Sequence, residues 1–197
     1  MNLSNGIKHL RKEDPAFLPV LEKAGTLELP LPRENFESLV DSIVSQQLSV
    51  KAAATIFQRV CLVLENEITP AKVRSTSAEQ LRSAGLSGQK TKYLYALAEA
   101  FSQKSEVYNQ LHELSDEEVI KTLTEIKGIG VWTAQMFLMF TLLREDVFPI
   151  GDLGIRRGME IFFFNGEKQN YTTLIKRAEI WAPYRSVACL AVWKAQD

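Results

Sequence analysis

Proline is nearly absent from the middle of this chain, and that constrains its fold more than any other sequence feature. Between Arg33 and Phe148 only Pro70 interrupts the sequence, whereas four of the seven prolines precede Arg33. Because proline breaks helices, most of the central stretch can form continuous helix. Runs of alternating apolar and polar residues, which indicate strands, extend over only a few residues. The sequence therefore predicts an all-α fold.

Residues typical of helix starts separate segments in which apolar residues recur at helical spacing. Asn35 is the predicted N-cap of a first amphipathic helix, which ends near residues 46–48. Ser49 is the predicted N-cap of a second helix, and Ser77 and Ser115 each begin a capping box. The second helix is expected to bury one stripe of side chains: Val50, Ala53, Ala54, Phe57, Cys61 and Leu64.

Composition excludes several classes of protein. The 197 residues are 46% hydrophobic and 24% charged, as is ordinary for a globular protein. The longest apolar run, from Val187 to Trp193, is far shorter than the ~20 residues of a membrane span. The N-terminus shows no apolar segment of a secretory signal. We therefore expect an intracellular protein that does not bind membranes.

The two cysteines indicate a reducing compartment rather than a disulfide or metal site. Cys61 and Cys189 both lie in apolar helical sequence, which predicts buried free thiols. Two cysteines are also too few for a four-cysteine iron–sulfur cluster or zinc site.

The first functional motif is a short turn at residues 127–130 between two predicted helices. So short a turn is predicted to require both Gly128 and Gly130, and the first amides of the second helix are left without helical partners. Those amides carry the positive end of the helix dipole and can bind a phosphate without a basic side chain. A chain with a net charge of −1 could bind DNA in this way. A plain αα-hairpin with glycine caps is the alternative.

The second functional motif is a Pro/Gly loop that leads into Asp152. Because Asp152 directly precedes helical sequence, it is a predicted N-cap, whose ionised carboxylate is stabilised by backbone amides and the helix dipole. Gly151 and Gly154 are expected to leave space for a ligand beside it. Capping alone would also explain Asp152. Glu145 and Asp146 are interpreted as solvated loop charges.

These two motifs, in this order, resemble those of the helix-hairpin-helix DNA glycosylase superfamily, and most closely its 3-methyladenine DNA glycosylase II family of alkylated-base enzymes. The resemblance extends from about Asn35 to Trp193 and is carried by residues 36–53, 86–94, 126–134, 146–152 and 181–186. It implies a single all-α domain of two helical lobes that lacks an N-terminal mixed α/β domain. One lobe would comprise about residues 35–130, and the other about residues 1–34 plus 131–197.

The resemblance also implies the chemistry. Asp152 matches the family's catalytic carboxylate. A base alkylated at a ring nitrogen is already cationic and leaves as a neutral molecule, so one carboxylate that stabilises the oxocarbenium-like sugar or orients water suffices. Trp132 stands where strand-cleaving members carry a Schiff-base lysine, which implies a glycosylase without lyase activity. Trp132 would instead stack on the flipped base, next to Met136, where some relatives have a pocket tyrosine.

Two DNA-binding elements follow from the same resemblance. The intercalating loop would comprise Gln46, Gln47 and Leu48, with Gln47 aligned with the wedge, and the hairpin would contribute Lys127, Gly128, Ile129 and Gly130. The main-chain carbonyls of Thr124, Ile126 and Gly128 would bind a Na⁺ or K⁺ ion; no cofactor is required and no iron–sulfur cluster is expected. Weaker candidates for phosphate contacts are Lys90, Lys92, Arg156, Arg157 and Arg185.

The sequence thus predicts a monomeric enzyme that hydrolyses the N-glycosidic bond of alkylated purines, such as 3-methyladenine or 7-methylguanine, in double-stranded DNA and leaves an abasic site for base excision repair. Its location would be the cytoplasm or nucleoid of a prokaryote or the nucleus of a eukaryote. One alternative is a glycosylase for deaminated or oxidised bases. A non-catalytic helix-hairpin-helix DNA-binding module would explain the hairpin but not Asp152 and Trp132. An unrelated helical scaffold is a third alternative.

Overall fold

The structure is a computed structural model that describes residues 1–196. These residues form α-helices joined by turns and short 3₁₀ segments, and no β-strand occurs among them, which confirms the predicted all-α fold. None of their helices has the length and apolar character needed to cross a membrane. The helices are α1 (Leu3–Glu13), α2 (Leu18–Ala24), α3 (Asn35–Ser45), α4 (Val50–Val63), α5 (Pro70–Ser75), α6 (Ala78–Ser83), α7 (Gly88–Gln103), α8 (Ser105–Asn109), α9 (Asp116–Thr124), α10 (Val131–Phe140), α11 (Leu153–Phe163), α12 (Tyr171–Ala178) and α13 (Arg185–Lys194).

The chain is divided into two compact units. The central unit comprises Pro32–Phe137, and the terminal unit combines Met1–Leu31 with the chain from Leu138 onward. The division falls within α10. That the two units constitute a single glycosylase domain stays a prediction.

Helix α7 organises the central unit, because α3, α5, α6 and α8 all pack against it. Its apolar stripe is fully buried at Leu94 and Leu97. Towards its C-terminal end, the Phe101 ring stacks on Tyr108 with ring centroids 4.5 Å apart and meets the edge of Phe36 at 5.2 Å. This aromatic cluster fixes the position of α3, whose C-terminal end leads into the loop at residues 46–48.

Helix α13 organises the terminal unit, where it packs against α1, α2 and α11. Its apolar residues between Val187 and Val192 are buried except for Leu190, which is half-buried. Gly6 of α1 allows close approach, since a Cβ there would lie 2.6 Å from a methyl carbon of Val187. Because α13 is buried along most of its length, it is a rigid support for any loop attached to it.

Most predicted helix starts are confirmed, and one is wrong. The capping boxes at Ser77 and Ser115 are both formed, and the Ser49 hydroxyl accepts the amide of Ala52 at 3.4 Å. Asn35, however, is the first residue of α3 and not its N-cap. Its side-chain Nδ2 donates to the carbonyl of Tyr108 at 2.8 Å, so the side chain bonds to a residue distant in the chain.

The predicted buried stripe of α4 is partly wrong. Val50 is 89% exposed and Ala54 is also exposed, whereas Ala53, Val60 and Leu64 form the buried face. The first turn of α4 therefore buries Ala53 and leaves Val50 to the solvent.

Of the two predicted buried thiols, Cys189 is fully buried whereas Cys61 is only half-buried. Both are free. Burial raises the pKa of both thiols above the ordinary cysteine value, so both are protonated at neutral pH and neither is an activated nucleophile.

Candidate functional site

The hairpin between α9 and α10 lies in the central unit and spans residues 125–130. It closes through a hydrogen bond from the amide of Ile129 to the carbonyl of Ile126, at 3.0 Å. Both isoleucine side chains are buried, whereas Lys127 and Gly130 are exposed. Two apolar anchors therefore fix the turn and present the residues between and after them to the outside.

The two glycines of the hairpin serve different needs. Gly128 has a φ of +101°, and a Cβ there would lie 2.3 Å from the Tyr93 ring, so both backbone and packing require glycine. Gly130 has no positive φ, and a Cβ there would meet no atom within 4 Å. The fold does not require glycine at position 130, so the prediction that the turn needs both glycines is wrong.

In the predicted intercalating loop, one residue faces the interior of the central unit and two face the solvent. The Gln46 side chain is half-buried, and its Nε2 donates to the carbonyl of Gly128 at 2.9 Å. Gln47 and Leu48 are exposed, and Gln47 has a φ of +57°, which non-glycine residues rarely adopt. The loop and the hairpin are thus directly connected through Gln46.

Lys90, a predicted phosphate contact, instead forms two hydrogen bonds within the protein. Its ammonium donates to the carbonyls of Val44 and Gln46, each at 2.7 Å. Lys92, by contrast, is exposed on α7.

The predicted base-stacking residues share one face of α10. Trp132 and Met136 are four residues apart, which places them on the same side of a helix. Trp132 is 46% exposed and Met136 is half-buried. Trp132 differs in this exposure from Trp181, which is fully buried in the terminal unit.

Asp152 lies in the terminal unit and is the N-cap of α11, as predicted. Its Oδ1 accepts two hydrogen bonds, from the amide of Ile155 at 2.8 Å and from the indole Nε1 of Trp193 at 2.9 Å. Sequence reasoning missed the contact with Trp193, because the two residues are far apart in the chain and no local pattern relates them. Two donors on one oxygen hold the carboxylate in a single orientation.

The prediction that Gly154 leaves space for a ligand is wrong. A Cβ at Gly154 would lie 3.1 Å from both Asp152 Oδ1 and Trp193 Nε1, so glycine there accommodates the indole. The indole is also held by Phe140, whose ring is stacked on it at a centroid distance of 5.9 Å. At Gly151, a Cβ would meet nothing within 4 Å, so open space lies on that side of Asp152.

The loop before Asp152 is attached to the start of α13. Asp146 accepts a bidentate pair from the Arg185 guanidinium, at 2.7 and 2.8 Å, and also accepts the Arg185 amide. These hydrogen bonds raise the pKa of Arg185 above the ordinary arginine value. Arg185, a predicted phosphate contact, is therefore committed to holding the loop.

The neighbouring residues of the loop extend the same attachment. The carbonyl of Glu145 accepts the Ser186 amide, and the Ser186 hydroxyl accepts the Val147 amide, both at 2.9 Å. The Glu145 carboxylate accepts the amide of Asn2. The interpretation of Glu145 and Asp146 as solvated loop charges is therefore wrong, because both bind other parts of the terminal unit.

The contrast between the two hairpin glycines predicts opposite outcomes for alanine. Gly128→Ala should lower the free energy of unfolding by about 2 kcal/mol or more, because it adds a strained φ to a clash with Tyr93. Gly130→Ala, the matched control in the same turn, should change it by less than about 0.5 kcal/mol. Urea denaturation followed by circular dichroism measures both. Equal destabilisation by the two substitutions would contradict this account of the hairpin.

Comparison with known proteins identifies the family of the chain. Residues 40–183 match the HhH-GPD superfamily base excision DNA repair protein family. The DNA-3-methyladenine glycosylase 1 of Schizosaccharomyces pombe is 38% identical over 165 residues, which cover 82% of this chain and 72% of that protein. The crystal structure of a DNA-3-methyladenine glycosidase from Bacillus halodurans superposes with a TM-score of 0.85 at 40% identity, covering 96% of this chain and 88% of the other.

A second solved structure is the S. pombe 3-methyladenine DNA glycosylase in complex with abasic DNA. It superposes with a TM-score of 0.84 at 34% identity and covers 96% of this chain and 95% of its own. The family match includes the hairpin, Trp132 and Asp152. The chain belongs to the HhH-GPD superfamily of base excision DNA repair proteins.

Proposed function

We propose that this chain is a monofunctional DNA glycosylase that removes alkylated purines, of the 3-methyladenine and 7-methylguanine type, from double-stranded DNA and leaves an abasic site. The observation that carries the proposal is Asp152, a carboxylate held in one orientation by Ile155 and Trp193 beside open space at Gly151. The relatives named above are DNA-3-methyladenine glycosylases, and one of them was solved with abasic DNA. We further propose that the protein acts as a monomer.

The proposed reaction needs one carboxylate because the substrate base is cationic. When the N-glycosidic bond breaks, its electron pair goes to the ring nitrogen, the base leaves as a neutral molecule, and positive charge develops on the sugar. The Asp152 carboxylate stabilises that charge and accepts a proton from the water that adds to C1′. No general acid is required. Since Ile155 and Trp193 fix Oδ1 before the substrate arrives, little reorganisation accompanies the reaction.

The central test removes the charge of Asp152 and keeps its shape. Asp152→Asn should lower the single-turnover rate of base release from methylated duplex DNA by at least about a hundred-fold. Binding to abasic duplex DNA should persist, because asparagine is also a good N-cap. Glu167→Gln, at an exposed carboxylate of the same unit, is the control and should match the wild type. A rate near the wild-type value in Asp152→Asn would contradict the proposal.

We propose that Trp132 stacks on the flipped base, with Met136 beside it. An indole binds a cationic ring through the electron density of its face, and no lysine is present at this position to form a Schiff base.

Trp132→Leu should therefore slow release of cationic 7-methylguanine by roughly ten-fold, an energy typical of a desolvated cation–π contact. Release of a neutral base such as hypoxanthine, if any occurs, should change less. Val131→Ala, at the exposed residue just before it, is the control. An equal loss on both bases would mean that Trp132 acts through packing alone.

The hairpin carbonyls are suited to a monovalent cation. Those of Thr124, Ile126 and Gly128 lie at the C-terminal end of α9 and after it, where the negative end of the helix dipole favours a cation. The Ile126 and Gly128 carbonyls each accept one hydrogen bond, from Ile129 and Gln46. A carbonyl oxygen has two lone pairs, so each can still serve as a ligand. We propose that Na⁺ or K⁺ binds here and supplies positive charge towards a DNA phosphate.

Exchanging the cation tests this site. The affinity for abasic duplex DNA should be lower in tetramethylammonium chloride than in KCl at the same ionic strength, because the organic cation is too large and too apolar to be bound by main-chain carbonyls. Fluorescence anisotropy measures the affinity. Equal affinities in the two salts, with the fold unchanged by circular dichroism, would rule out a cation contribution at the hairpin.

A further inference from the structure

Lys90 caps a helix to which it does not belong. Its ammonium lies 2.7 Å from the carbonyl oxygens of both Val44 and Gln46, at the C-terminal end of α3. The last carbonyls of a helix lack helical donors and carry the negative end of its dipole, so a cation satisfies both deficits at once. Lys90 thereby fixes the end of α3, which is followed by the exposed residues Gln47 and Leu48.

The Lys90 side chain is half-buried. Burial lowers the pKa of Lys90 from the ordinary lysine value, and its donors are directed at backbone carbonyls of the central unit. An ammonium in this position is not presented to a DNA phosphate, in contrast to that of the exposed Lys92.

Gln46 continues the connection from Lys90 to the hairpin. Its carbonyl accepts the Lys90 ammonium, and its side-chain Nε2 donates to the carbonyl of Gly128 at 2.9 Å. Gly128 is itself seated against the Tyr93 ring. A continuous chain of hydrogen bonds thus runs from α7 through the first loop residue to the hairpin.

The loop needs such support because its own geometry is unfavourable. Gln47 has a φ of +57°, a left-handed conformation that costs a non-glycine residue free energy. Within the loop itself, the amide of Leu48 donates to the Ser45 carbonyl at 3.2 Å. A loop held in a strained conformation persists only when its surroundings determine it.

We propose that Lys90 and Gln46 are positioning residues that hold the wedge, formed by Gln47 and Leu48, at a fixed distance from the hairpin. The wedge and the hairpin then bind DNA as one unit. This inference rests on the proposed function, in which the wedge fills the gap left by a flipped nucleotide. A preorganised loop inserts without first paying the entropy of ordering itself. Neither side chain is required to touch DNA for this role.

The test compares two substrates with each protein preparation. Both carry 7-methylguanine in a duplex, in one opposite cytosine and in the other opposite an abasic analogue, where extrusion of the base costs less. With Lys90→Met, we expect the single-turnover rate to fall about ten-fold on the paired base and less than about three-fold on the unpaired base, because the variant lacks both hydrogen bonds that hold the loop. The ratio of the two rates does not depend on the folded fraction of the variant.

The matched control is Lys72→Met on α5 of the same unit. It removes an ammonium paired with Glu65 at 2.6 Å, away from the loop and the hairpin, and its rate ratio should equal that of the wild type. If Lys90→Met slows both substrates equally, Lys90 does not act through the wedge and the proposal is overturned.

A second variant tests whether Lys90 and Gln46 act together. Gln46→Leu removes the bond to Gly128, and the double variant Lys90→Met/Gln46→Leu should lose little more than the worse single variant, because one connection is already broken. Losses that multiply on the paired substrate would show two independent effects and overturn the shared role.

A second assay distinguishes failure of this inference from failure of the proposed function. If the wild type releases no base from either substrate, the glycosylase assignment fails. Insertion of the wedge is then measured on abasic duplex DNA that carries 2-aminopurine next to the abasic site, because the fluorescence of 2-aminopurine reports unstacking by an inserted side chain. A smaller fluorescence change with Lys90→Met than with the wild type at saturation supports the inference, and an equal change overturns it.

Discussion

The attachment of the Pro/Gly loop to α13 is the constraint on which the proposed catalytic residue depends. A loop of this kind has no hydrogen-bonded ladder of its own, and its conformation must be imposed by its surroundings. Asp146 and Val147 are bound at the first turn of α13 by Arg185 and Ser186. Asp152 is bound near the last turn of the same helix. Since α13 is largely buried, it transfers the rigidity of the core to the carboxylate.

Helix ends supply the electrostatics that the net charge of −1 does not. The N-terminus of α11 binds the Asp152 carboxylate, and the N-terminus of α10 presents amides at Gly130. The C-terminus of α3 is capped by Lys90. The electrostatic effect of a helix end extends over only a short distance. A chain with a net charge near zero can therefore still have locally charged sites.

Sequence alone predicts the features that depend on near neighbours in the chain. The capping boxes at Ser77 and Ser115, the hairpin and the N-cap at Asp152 are all set by residues within a few positions of one another. Contacts such as Trp193 with Asp152 join residues that are distant in the chain, and no local spacing encodes them. Two of the errors have the same origin, since Asn35 and Asp146 each bond to a residue that is distant in the chain.

Asp152 is both the N-cap of α11 and the proposed catalytic carboxylate, and the first of these roles restricts which substitutions the site tolerates. As an N-cap, its Oδ1 must stay within reach of the Ile155 amide, and the indole of Trp193 closes the same oxygen from the other side. A longer glutamate would displace the carboxylate from both donors, and a side chain at Gly154 would crowd the indole. The carboxylate therefore stays where its two donors hold it. A carboxylate fixed in this way is suited to the proposed substrate, which already carries the charge that the reaction needs.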